Sequence, residues 1–280
     1  MKNKKILITG GAGFIGSNLI NKLISNNEII CLDNFITGFN INIQPFKKHK
    51  NFRLINGSIL SSIKGKYDFI YNLACPASPY HYQKNPIETF KASVIGSLNI
   101  LENAYKNDSI VFQASTSEIY GDPLKHPQKE NYFGNVSTIG PRACYDEGKR
   151  AAETIFFDFK RIYNVKIKLV RIFNTYGPNM SPNDGRVISN FIVQALKNKP
   201  ITIHGKGNQT RSFCYIDDLV NGIIAYSNIK KNISGPINLG NNKEYSINQI
   251  ALKIKKITNS NSKIIYKKKQ VDDPHNRKPD

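Results

Sequence analysis

Short apolar, β-branched runs alternate along this chain with longer stretches whose hydrophobic residues recur every three to four positions. The runs at 5–9, 28–33, 52–56, 67–72, 109–114 and 166–171 predict strands. The stretches at 14–24, 86–105 and 143–163 predict amphipathic helices between them. Such alternation implies an α/β architecture with a doubly wound parallel sheet and right-handed crossovers. Ligands bind such sheets at the carboxyl ends of the strands, so the residues just after each run are the ones to read for chemistry.

Beyond residue 174 the texture changes. Turn-rich segments at 174–178 and 181–185 lead into a predicted helix at 186–197, a strand at 201–204 and helices at 216–228 and 247–258. The expected division is a dinucleotide-binding part over 1–174 and a smaller C-terminal substrate-binding lobe over 175–280, with interleaving allowed. No repeat or low-complexity linker separates them.

Composition narrows the class. At 280 residues, 40% hydrophobic and 21% charged, the chain suits a globular protein. The first apolar run, Ile6-Leu7-Ile8, is stopped at once by Thr9-Gly10-Gly11, too early for a signal sequence or a membrane span. No membrane association and a cytoplasmic location are expected. Cys31, Cys75, Cys144 and Cys214 are scattered with no C-x-x-C pair, which reads as reduced thiols and no metal site. The formal charge of +20 raises the question of nucleic acid, but the lysines are spread among Asn and Ile and form only one run, at 267–269. A solvated basic surface and no nucleic-acid partner are expected.

Gly10, Gly13 and Gly16 form G-x-x-G-x-x-G directly after the first strand and open the first helix. The tight turn and the approach of backbone to a pyrophosphate at a helix N-terminus require glycine there. Asp33 ends the second strand, where a carboxylate accepts from ribose hydroxyls and repels a 2′-phosphate; no arginine follows it in Asn34-Phe35-Ile36-Thr37. NAD is therefore expected rather than NADP. Tyr145 and Lys149, four residues apart, share one helix face, and a lysine cation one turn away is expected to lower the tyrosine's usual pKa of about 10. Ser115-Thr116-Ser117-Glu118 sets hydroxyls and a carboxylate after the 109–114 strand. Gly148, inside the helix, predicts that something large packs close by.

With these pieces placed, the chain resembles the extended short-chain dehydrogenase/reductases and, within them, the UDP-glucuronate decarboxylases. The resemblance spans nearly the whole chain and rests on the strings at 74–79 (ACPASP), 114–122 (ASTSEIYGD), 140–150 (GPRACYDEGKR), 171–178 (RIFNTYGP), 184–190 (DGRVISN), 209–215 (QTRSFCY) and 272–280 (DDPHNRKPD). It implies a Rossmann fold, NAD as cofactor, UDP-glucuronate as substrate and a homodimer paired through the helices at 86–105 and 143–163. It further implies Tyr145 as base with Lys149 as its partner, Thr116 on the sugar 4-hydroxyl, and Ser117 and Glu118 near carbon 5. Phe14, Ile15, Asn34, Ala74 and Thr175 would join the glycines, Asp33, Tyr145 and Lys149 around NAD. Lys91, Asn174, Arg186, Asn190, Arg211, Tyr215 and Arg277 would grip the substrate. Two departures stand out. Asn56-Gly57-Ser58 offers Ser58 where the family has an adenine-holding Asp, and the family continues for dozens of residues past Arg277-Lys278-Pro279-Asp280, so a C-terminally shortened chain is expected. A 4,6-dehydratase would carry Asp where Ser117 stands, a 4-epimerase would leave Glu118 idle, and a non-catalytic NAD- or RNA-binding relative would not need the Tyr/Lys pair.

Overall fold

The computed structural model describes residues 1–231, 233–268, 274 and 276–280. Lys269 of the lysine run, and Asp272, Asp273 and His275 of the 272–280 string, lie outside the described residues. Six strands, β1 (Lys5–Thr9), β2 (Glu28–Asp33), β3 (Phe52–Asn56), β4 (Phe69–Asn72), β5 (Ile110–Thr116) and β6 (Lys166–Ile172), are joined by a seventh, Ile237–Leu239, in one sheet. Its order is Ile237–Leu239, β6, β5, β4, β1, β2, β3, and every pairing is parallel. The order reverses between β1 and β4, the switch point at which doubly wound sheets open a ligand crevice.

Burial on both faces explains the unbroken apolar runs. Ile6, Leu7 and Ile8 of β1 are all within 1% of full burial, with Ile6 and Ile8 in one core cluster and Leu7 in the other. One face is covered by α1 (Phe14–Leu23) and α7 (Ile216–Asn228), whose Ile216, Leu219, Val220 and Ile223 join the cluster of Ile6 and Ile8. Between these two helices in the chain come a short α2 (Asn40–Ile43), α3 (Pro79–Lys84), α4 (Pro86–Asn107), α5 (Ala143–Tyr163) and α6 (Val187–Leu196). The other face carries α4 and α5, with Ile100, Leu101, Ala104 and Phe156 against Leu7 and Ile70. Segment 175–280 thus shares the main core through α7 and returns a strand to the main sheet. Its own cluster packs α6 and α8 (Ile247–Ile257) on the strand Ile201–His204.

Helix ends follow local chemistry. α4 starts at Pro86 and ends on Asp108 in the left-handed conformation (φ 54°); α5 ends the same way on Asn164 (φ 53°). α8 begins with a capping box between Ser246 and Gln249. At Gly148 the close neighbour is another helix, α4. A Cβ there would sit 3.1 Å from Ser93 Cβ and 3.5 Å from the Phe90 ring on α4, so the glycine lets α4 and α5 approach closely.

Candidate active site

A cleft of about 810 Å3 runs across the carboxyl ends of the strands. Gly10 follows β1, Asp33 ends β2, Ala74 follows β4, Thr116 ends β5 and Asn174 follows β6, and all five line it. The glycine turn at its floor leaves no room for side chains. Gly10 has φ +68°, and a Cβ on Gly16 would lie 2.3 Å from the Gly10 carbonyl oxygen. α1 has no side-chain cap at Gly13 and no acidic residue in its first turn, so free N–H groups and the positive end of the helix dipole face the cleft. Asp33 accepts from the backbone N–H of Ala12 at 2.9 Å and of Phe35 at 2.8 Å, which aims the carboxylate into the crevice. Burial is the largest influence on it and raises its pKa, opposed by those N–H groups. Gly38 leaves room beside it, since a Cβ there would come within 2.8 Å of an Asp33 oxygen. The cradle, the uncapped helix and the ribose-side carboxylate fit a dinucleotide. Phe14, Ile15, Asn34, Ser58 and Thr175 also line the cleft.

Tyr145 and Lys149 rise from the first turns of α5, both 5% exposed. Lys149 Nζ donates to the Ala114 carbonyl at 2.9 Å and lies 5.8 Å from the centre of the Tyr145 ring. The Tyr145 ring stacks on Tyr82 of α3, with centroids 5.0 Å apart and planes 2° from parallel. The expectation of a lowered tyrosine pKa is overturned for the site as it stands. Burial, the largest influence, pushes the phenol above its ordinary value, Cys75 adds to this, and the hydrogen bond with Thr116 opposes it. An ammonium already anchored on a carbonyl does not outweigh desolvation of the phenolate.

Thr116 accepts from the Glu118 backbone N–H at 3.2 Å and so caps the turn carrying Ser117 and Glu118. Glu118 is clamped. Arg277 Nη1 and Nη2 donate to its two oxygens at 2.5 and 2.7 Å, and Arg142 Nη2 donates to Oε2 at 2.5 Å. Burial would raise the pKa of Glu118, but the two guanidiniums outweigh it and hold the carboxylate well below its usual range. Arg142, at the mouth of α5, was not singled out by sequence reasoning, although it lies inside the 140–150 string. Its spacing of three and four residues from Tyr145 and Asp146 was the available signal.

Around the far end of the cleft stand Asn174, Arg186, Asn190 and Arg211. Arg186 is held through both oxygens of Asp184, Asn190 donates to the Gly185 carbonyl at 2.8 Å, and Asn174 Nδ2 is buried with no hydrogen-bond partner among the described residues. Two expected substrate residues fall outside the cleft lining. Lys91 is exposed on α4 and pairs at 2.9 Å with Glu88, which lines the cleft, as does the adjacent Ala92. Tyr215 turns its ring onto Tyr176, 5.5 Å between centroids, and the alternate residue Phe213 lines the cleft. Among the described residues no cluster of His, Cys, Asp or Glu could hold a metal ion, and no helix is long and apolar enough to cross a membrane.

A parallel sheet of order 3-2-1-4-5-6 with a glycine cradle, and a buried Tyr/Lys pair facing it, defines a nicotinamide-dinucleotide enzyme of the Rossmann class. The model of the NAD dependent epimerase/dehydratase family matches residues 6–240, and this chain belongs to that family. UDP-glucuronic acid decarboxylase 1 of Xenopus tropicalis is 50% identical over 278 residues, 99% of this chain and 66% of that protein. UDP-glucuronic acid decarboxylase 3 of Arabidopsis thaliana is 48% identical over 280 residues, 99% of this chain and 81% of that protein. The chain thus spans from about two thirds to four fifths of the length of these relatives. Among solved structures, the UDP-N-acetylglucosamine 4-epimerase of Methanobrevibacter ruminantium M1 superposes with a TM-score of 0.92 at 26% identity, over 100% of this chain and 90% of that one. The UDP-glucuronic acid 4-epimerase of Bacillus cereus, solved with UDP-glucuronic acid and NAD, gives 0.87 at 28% identity, over 99% and 90%.

Proposed function

We propose that this chain is a carboxy-lyase that converts UDP-glucuronate to UDP-xylose and carbon dioxide, with NAD recycled within each turnover. The observation that carries the reading is the Arg142–Glu118–Arg277 clamp beside Thr116 and Tyr145, in a chain about half identical to UDP-glucuronic acid decarboxylases. Gly10, Gly13, Gly16 and Asp33 would hold NAD, which when bound would supply the hydride acceptor and donor.

The chain's own residues do the rest. Ionised, a state that the Lys149 ammonium and the positive charge of oxidised NAD would favour against burial, Tyr145 takes the proton of the sugar 4-hydroxyl, and Thr116, hydrogen-bonded to it, orients that hydroxyl. Lys149, fixed on the Ala114 carbonyl, holds its ammonium beside the Tyr145 ring. Oxidation at carbon 4 leaves the carboxylate β to a ketone. The carbon–carbon bond then breaks, carbon dioxide leaves, and the electron pair passes into an enolate that Tyr145 and Thr116 stabilise. A proton returns to carbon 5 on the Ser117–Glu118 side. Asn174, Arg186, Asn190 and Arg211 hold the uridine diphosphate, where planar guanidiniums suit phosphate. Ser117 stands where a dehydratase needs an acid, so loss of a sugar hydroxyl is not expected.

Ile87, Phe90 and Ile95 of α4 and Ile162 and Tyr163 of α5 are exposed, which supports pairing of two copies through these helices. Four free thiols suit a reducing, cytoplasmic setting. Incubation with UDP-glucuronate and NAD, followed by mass spectrometry of the sugar, tests the activity. UDP-xylose and carbon dioxide are expected without net NADH; UDP-galacturonate without carbon dioxide would make the chain a 4-epimerase.

A further inference from the structure

Next to the reaction cleft lies a second cavity of about 400 Å3, lined by Gly121, Asp122, Asn135, Arg142 and Asp146 among others. Asp122 and Asn135 are exposed, so this cavity meets solvent. Arg142 lines both spaces, whereas Asp146 lines only the smaller one. Asp146 is 5% exposed, its Oδ1 has no hydrogen-bond partner among the described residues, and the chemistry above makes no use of it. Its Oδ2 lies 3.9 Å from Arg142 Nε, while Arg142 Nη2 holds Glu118. One guanidinium therefore carries a carboxyl group at each end.

Among the described residues, the charged and titratable groups around Asp146 include Arg142 and Glu147 on its own helix, Cys144 beside them, Glu118 and Arg277 across the clamp, Tyr82 on α3, and Asp122, which lines the same cavity. Burial, then the charge of Glu118, push Asp146 up to about 8 against the pull of Arg142 and Arg277. This balance favours the uncharged carboxyl at neutral pH. The clamp then holds two guanidiniums against one carboxylate, Glu118, and has a surplus positive charge. Ionisation of Asp146 cancels that surplus.

We propose that Asp146 is a positioning residue whose ionisation sets the net charge of the Arg142–Glu118–Arg277 clamp, and with it the cleft's affinity for the sugar carboxylate. The inference rests on the reading that the substrate is a glycuronate. In UDP-glucose the sugar is uncharged and only the diphosphate feels the surplus charge, so affinity for it depends far less on Asp146. The second cavity gives Asp146 its route for exchanging a proton with water.

The test is binding of UDP-glucuronate and of UDP-glucose to the NAD-loaded protein from neutral to alkaline pH. UDP-glucuronate is expected to weaken by about tenfold, the scale of one unit charge several ångströms away in a partly wet site, while UDP-glucose weakens far less. Asp146→Asn keeps the shape of the neutral acid; its KM for UDP-glucuronate should stay at the neutral-pH value across the range, with kcat following the unmodified enzyme. Parallel weakening of both ligands, or an alkaline rise in KM that survives Asp146→Asn, overturns the proposal. UDP-glucose binding without any UDP-glucuronate binding at any pH overturns the substrate assignment itself, and the charge argument with it.

Discussion

Replacing Arg277 by Met probes the clamp that the tertiary structure builds. The substitution keeps an unbranched apolar stem but removes the two donors that meet Glu118 at 2.5 and 2.7 Å, where side-chain exposure is 5% and 15%. Removing one partner from a buried ion pair costs about 3–5 kcal/mol, mostly from stranding the other charge. Arg142 remains on Oε2 at 2.5 Å, so the lower end, about 3 kcal/mol, is expected here. In a chain of this general size that corresponds to a fall in Tm of roughly 6–12 °C. Glu118→Gln in the Arg277→Met background should return part of the loss, because no unpaired carboxylate is then left behind; a coupling of about 1 kcal/mol or more is expected. Calorimetry of the unmodified protein, the two single variants and the double variant measures it. Strictly additive losses, or an Arg277→Met variant melting with the unmodified protein, would refute the clamp. Turnover gives an independent reading, since loss of the clamp should reduce decarboxylation even at temperatures where all four proteins are folded.

Other perturbations test other parts. Glu118 is held from its ordinary value of 4.5 down to about 2, burial being outweighed by Arg142 and Arg277; its stabilisation is complete above the ordinary value and is lost as pH falls towards 2, so acid unfolding should shift upward in pH in Glu118→Gln. Tyr145→Phe should keep NAD and substrate binding while turnover drops by several orders of magnitude; near-normal turnover would make the pair structural. Asp33→Ser should narrow the preference for NAD over NADP measured by direct binding, and equal affinities in the unmodified protein would sink that reading. Gly16→Ala forces a Cβ to within 2.3 Å of the Gly10 carbonyl, so NAD binding should fall sharply and with it the thermal stabilisation that NAD gives; unchanged binding would show that the cradle yields.

The sheet was legible in the chain because its strands are buried on both faces, which writes them as continuous apolar runs between amphipathic helices. β1, β2 and β3 fall where the runs predict, and β4 to β6 differ by one or two residues at their ends, where strand pairing rather than composition decides. The glycine cradle and Asp33 were readable because their chemistry is local: a turn, a helix N-terminus and the end of one strand. The Tyr145–Lys149 face follows from helical spacing alone.

What acts across the chain was not written locally. Arg277 meets Glu118 from 159 residues away, Arg142 completes the clamp from 24 away, and Tyr82 stacks on Tyr145 from another helix. No periodicity encodes such meetings. Helical spacing says that Tyr145 and Lys149 share a face, but only burial decides that the phenol's pKa rises instead of falling. Lys91 and Tyr215 belong to the right segments of sequence and still fall outside the cleft lining, because side-chain direction is set by the partners each finds, Glu88 for Lys91 and Tyr176 for Tyr215. The order of residues determined the sheet, the turn and the chemical types available; the ionic state of the site belongs to the desolvation and charge contacts that only the packed molecule creates.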